Sequence, residues 1–136
     1  MMSVRNTRRS ESGASAVEFA LLLPLLMMVL FGIIELGLVL HQQSILTNAS
    51  REGARLGIVQ SIPAITNGQI NAAIDTYLTG SGISPGNVTR SIVAGGPTGT
   101  PVQVTLTLPY TYAVLPGLTG ITPTINLTAQ TVMRHE

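Results

Sequence analysis

The sequence predicts an α+β protein: a long N-terminal transmembrane helix continuing into a stem, a second short helix, and a small antiparallel sheet of about three strands. Three observations carry that prediction. Ala14 to Leu40 is an apolar run in which only Glu18 and Glu35 are charged. Apolar residues at helical spacing continue past it as far as Val59. From residue 101 the apolar period changes from helical to two, the period of a half-buried strand.

The apolar run comes first. Between its two glutamates lie Phe19 to Ile34, which span ~24 Å as a helix and cross a bilayer when the carboxylates sit near opposite interfaces. Residues 1–13 carry a net charge of +2 and residues 14–136 a net charge of −1. This basic excess on the N-terminal side places that end in the cytoplasm and the remainder outside it. A secretory signal has a shorter apolar core followed by a small-residue cleavage site, and the LGLVLHQQS after this run offers none. Pro24 removes one helical hydrogen bond, a kink that membrane helices tolerate.

The stem follows. Ile45, Leu46, Ala49, Leu56 and Val59 fall on helical spacings, and Ser61-Ile62-Pro63 reads as the stop. Ala49, Gly53 and Gly57 recur every four residues, a strip that permits close backbone approach by the C-terminal domain or by a neighbouring subunit. A second helix is expected from Asn67 to Leu78, with Gly80 after its end. The turn-rich TGSGISPGN leads to strands at about Asn87–Ala94, Pro101–Tyr112 and Thr124–Met133. Pro109 argues that its strand is an edge or ends there.

Composition excludes several classes of function. The chain is 45% hydrophobic and 10% charged, with a net charge of +1, no lysine and no cysteine. That leaves no basic field for nucleic acid, no disulfide or thiolate chemistry, and no P-loop lysine. His41 and His135 are isolated, and Asp75 is the single aspartate. No catalytic, cofactor-binding or metal-binding residue is assigned, and no small-molecule substrate is expected.

Glu18 is the anomaly, since a lone charge in an apolar segment is costly unless paired. A cut between Gly13 and Ala14 removes the basic leader and creates an α-ammonium group at Ala14. Glu18 then lies four residues on, on the same helix face, free to pair with that terminus or with a neighbour's. Glu35 stays open between an interfacial carboxylate and a partner for an Arg or His41 of another chain.

A basic leader ending in Gly, followed by Glu at the fifth mature position before a long apolar helix, resembles the class III signal of type IV pilins and pseudopilins. More narrowly, GASAVEFALLLPLL, the FGIIELG of Phe31–Gly37 and the ASREGAR of Ala49–Arg55 resemble TadE-like proteins, minor pilins or pseudopilins of the Tad (tight adherence) pilus system. The resemblance covers about the first sixty residues. It implies removal of the leader at Gly13/Ala14 by a prepilin peptidase, and roles for Glu18 and Phe19 in processing and assembly. Phe19 stands where the major pilin tends to carry Tyr, which favours a minor subunit; Ala14 stands where many type IV pilins begin with Phe, which argues against N-methylation of that residue. The implied partners are the peptidase, other pilin subunits, the inner-membrane pilus platform and the lipid bilayer, and the implied roles are pilus biogenesis and adhesion.

The expected organisation is therefore a cytoplasmic leader (1–13), a transmembrane helix and stem (14–60), and an extracytoplasmic α+β domain (61–136). The expected location is a bacterial inner membrane, crossed once, with the C-terminal domain periplasmic or extracellular. The competing reading is an uncleaved single-pass anchor holding a periplasmic interaction domain; only the pilin reading requires the Gly13/Glu18 pair.

Overall fold

The computed structural model describes residues 7–59, 64–93, 100–114, 116–117, 120 and 122–134, with side chains from residue 13 onward. Helix α1 runs without interruption from Thr7 to Gly57, through Pro24, and is ~76 Å long. Its two halves differ in surroundings. From Gly13 to Ile34 nearly every side chain is exposed; from Glu35 to Ala54 one face is buried against the rest of the chain. The helix ends at Gly57, two residues short of Val59, and the expected stop at Ser61–Pro63 lies outside the described residues.

Helix α2 (Asn67–Gly80) starts at a capping box. Thr66 Oγ1 accepts from the Gln69 N–H, and Gln69 Oε1 accepts from the Thr66 N–H, so each side chain satisfies a backbone donor that the helix leaves unpaired. Its C-terminal end is set by Gly82, at φ +80°, and Gly80 is still helical. Ile83 N–H bonds Leu78 O at 2.9 Å and Gly82 N–H bonds Thr79 O at 3.1 Å. This is a Schellman arrangement, which needs a left-handed residue at its turn. Buried Leu78 and Ile83 lie at its two ends.

The sheet has three antiparallel strands in sequence order: β1 (Thr89–Val93), β2 (Pro101–Thr111) and β3 (Thr124–Arg134). The first strand is shorter than expected. Asn87 belongs to a 3-10 turn, Pro85–Asn87, and Ala94 and the glycine-rich connection after it lie outside the described residues. Strand β2, which carries Pro109, is central rather than an edge. Proline is accommodated because β1 stops at the Thr89–Thr107 pair, leaving the β1 side of Pro109 without a ladder to interrupt.

One sheet face carries Val102, Val104, Leu106, Leu108 and Tyr110 of β2 with Leu127 and Ala129 of β3, all buried. Both helices contribute to the same core through Leu46, Ala49 and Ala54 of α1 and Ile70, Ile74 and Leu78 of α2. Side chains such as Leu106 and Ile74 each contribute about 1.5–3 kcal/mol by burial. Polar contacts tie α1 to β3: Ser50 Oγ lies 2.7 Å from Thr131 Oγ1, and Gln43 Nε2 donates to Thr128 O at 2.9 Å. The architecture is α+β, helices on one face of a small antiparallel sheet.

Candidate functional site

The exposed half of α1 holds the first group of expected site residues. Gly13 and Ala14 lie within the helix near its start, and a side chain at Gly13 would meet nothing within 4 Å. Glu18 and Phe19 follow on the exposed surface, Phe19 63% exposed and Leu21 beyond it 74%. The helix from Gly13 is long and apolar enough to cross a membrane, and its most apolar stretch packs against nothing in its own chain. A helix that leaves so large an apolar surface bare is one that meets lipid or other helices.

The strip of Ala49, Gly53 and Gly57 lies in the packed half, against the chain's own domain. Ala49 is fully buried. A Cβ placed on Gly53 would come within 2.7 Å of Ile74 Cδ1, and one on Gly57 within 2.8 Å of Val102 Cγ1. The missing side chains let α2 and β2 close onto the helix backbone, at a cost in helix propensity of nearly 1 kcal/mol per glycine. Beside them, Arg55 and Glu52 form an exposed pair at 3.9 Å, an interaction of little energetic weight.

Between the two halves sits Glu35, 2% exposed and bonded within its own chain. Its Oε1 accepts the Tyr110 hydroxyl at 2.6 Å and the Ala113 N–H at 2.9 Å; its Oε2 accepts the Val114 N–H at 2.6 Å. Helix α1 presents the carboxylate one residue beyond the apolar stretch, and the end of β2 with its following turn supplies the donors. Donors of this kind do for a carboxylate what water does outside, so the acidic side chain is accommodated next to an apolar segment. Burial, then the bond to Glu35 and its charge, push the Tyr110 phenol up to about 12. Tyr112 packs edge-on against Tyr110, with ring centres 5.8 Å apart.

The donors found for Glu35 come from its own domain, a source the sequence reading did not include. A phenol on the core face of β2 was the available signal, because a buried tyrosine hydroxyl needs a polar partner. The two backbone N–H groups have no sequence signature. A separate ion pair, Arg90 to Asp75 at 2.6 Å, together with the Arg90 bond to Pro85 O, joins β1, α2 and the turn between them. Among the described residues no group of three histidine or acidic side chains could hold a metal ion.

Comparison with curated proteins and with solved structures returns no match. The model of the family described as TadE-like protein matches residues 13–55. The match starts at Gly13, takes in Glu18, Phe19, Glu35, Ala49 and Gly53, and covers about a third of the chain. Over that segment, most of α1, the chain is similar to TadE-like proteins.

Proposed function

We propose that this protein is a pseudopilin or minor pilin of a Tad-type pilus. A prepilin peptidase cuts it between Gly13 and Ala14, and the freed helix packs among other pilin helices through Phe19–Leu40. The observation that carries the reading is the start of the TadE-like match at Gly13, five residues before Glu18, on a helix whose apolar surface is bare. Glu18 acts there as a register device, since its charge is tolerated only where a positive terminus is within reach. Before assembly the helix anchors the chain in the inner membrane, with the α+β domain outside the cytoplasm and the pilus platform and peptidase as partners. The role is structural, in pilus biogenesis and adhesion.

The competing reading keeps the leader and leaves the protein a fixed anchor. Intact mass and N-terminal sequence of the membrane-extracted protein, with and without its peptidase, separate the two. A peptidase-dependent start at Ala14 supports the pilin reading; an uncut chain in both strains supports the anchor.

A further inference from the structure

The charges of the folded domain are unevenly placed along its length. No Asp, Glu, Lys or Arg occurs from Ser91 to Met133, nor on α1 from Leu36 to Ser50. Arg51, Glu52 and Arg55 lie on the last turns of α1, and Arg134 pairs in register with Pro101 at the same far end, where Val102 meets Gly57. Asp75 and Arg90 bridge each other midway. At the opposite end, where β2 and its following turn reach Glu35, the one charged group is Glu35 itself, and its carboxylate is covered.

That uncharged end adjoins the bare apolar helix. Ile33, Ile34, Leu36 and Leu40 are exposed on α1 on either side of Glu35. The Ala113 and Val114 backbones lie within 3 Å of the Glu35 carboxylate, with Ala113 exposed. Helix geometry fixes the level of this contact. Glu18 and Glu35 are ~25 Å apart along α1, less than the ~30 Å of a hydrocarbon core, and any tilt shortens the projection further. With the two carboxylates centred on the bilayer, Glu35 lies within about 3 Å of the outer edge of the hydrocarbon, beneath the headgroup layer. The groups bonded to it share that depth, and the half-buried Tyr112 beside them suits such a boundary.

We propose that the turn after β2, at Tyr112–Val114, is a lipid-contacting surface: it seats the base of the domain in the outer headgroup layer, held there by Glu35. The inference rests on the membrane-spanning reading of α1. The occupant is the lipid surface itself, because the face is continuous with the apolar helix and bears no exposed charge. A neighbouring subunit's helix is the rival occupant.

The chain has no cysteine, so single labels are unambiguous. Ala113→Cys, Leu26→Cys and Gln130→Cys, each in the full chain with a nitroxide label, are reconstituted at low protein density into phosphatidylethanolamine–phosphatidylglycerol vesicles. Accessibility to oxygen and to a water-soluble nickel complex reports depth. The expected result is lipid-like values at residues 26 and 113 and water-like values at 130. A residue 113 as open to nickel as residue 130, with residue 26 in lipid, overturns the seat and leaves the spanning helix standing. Water-like values at residue 26 overturn the spanning reading and the seat with it. Lipid-like values at 113 only on raising the protein density assign the face to a neighbouring subunit and overturn the proposal.

Discussion

Tyr110 donates its hydroxyl to the Glu35 carboxylate across 2.6 Å, joining the end of the central strand to a helix position 75 residues earlier in the chain. With the N–H groups of Ala113 and Val114, this bond marks the point at which α1 stops being bare and starts being packed.

Removing either side of that contact has a graded cost. Tyr110→Phe loses one bond to a charged acceptor, about 1.5–3 kcal/mol. Glu35→Ala leaves the phenol and two N–H groups without their acceptor, each at about 1–3 kcal/mol where water cannot reach. Thermal unfolding in detergent micelles should rank wild type above Tyr110→Phe, and that above Glu35→Ala. An unchanged midpoint for Glu35→Ala would remove the contact from the account of stability.

The same bond sets an alkaline limit. The folded-state value of Tyr110 is about 12, against an ordinary 10.0. The fold therefore favours the neutral phenol, and its contribution is fully present below pH 10 and lost as pH rises from 10 through 12. Denaturation midpoints measured across that window should fall for the wild type and fall less for Tyr110→Phe. Equal slopes would refute the assignment.

The glycines of α1 separate into two kinds. Gly57→Val must displace Val102 Cγ1 and Ile70 Cδ1, which a Cβ would approach to 2.8 and 3.1 Å, and overpacking of this sort costs about 1–3 kcal/mol. Gly37→Ala meets nothing within 4 Å and should gain up to ~1 kcal/mol of helix propensity. Urea unfolding of the two variants should move in opposite directions.

At the end of α2 the contrast is conformational. Gly82, at φ +80°, resists a side chain, and Gly82→Ala should cost about 1–2 kcal/mol. Gly80→Ala, inside the helix and facing open space, should be neutral or stabilising. A Gly82→Ala protein as stable as wild type would sink the Schellman argument.

Glu18→Ala tests the register role. Membrane insertion should be kept or improved, because a charge leaves an apolar helix. Incorporation into pili, read by immunoblot of sheared filaments, should fall. Normal incorporation would show that Glu18 only marks the membrane edge.

Much of this architecture was legible in the sequence because it rests on local signals. The apolar run, the alternation in Val102–Tyr110 and the periodicity of Ile70, Ile74 and Leu78 each reflect one face meeting one environment. The misjudged details depend on partners far away in the chain. Pro109 lies on a central strand yet has no β1 neighbour, a local edge that exists only because β1 is short. Gly80 and Gly82 differ in which of them takes the left-handed conformation, a choice made by the packing of Leu78 and Ile83. Glu35 takes two of its bonds from backbone groups of Ala113 and Val114, which no choice of side chain announces.

Because α1 is one continuous helix, it carries direction as well as distance. Successive residues turn by ~100°, so the azimuth of the sheet about the helix axis is fixed relative to Glu18 by the number of residues between Glu18 and Glu35. Deleting one residue within Phe19–Ile34 would lower the domain by only ~1.5 Å yet swing it through more than a quarter of a circle. An assembly held by Glu18 would then present a different side of every domain to its neighbours, while a freely rotating anchor would be indifferent to the change.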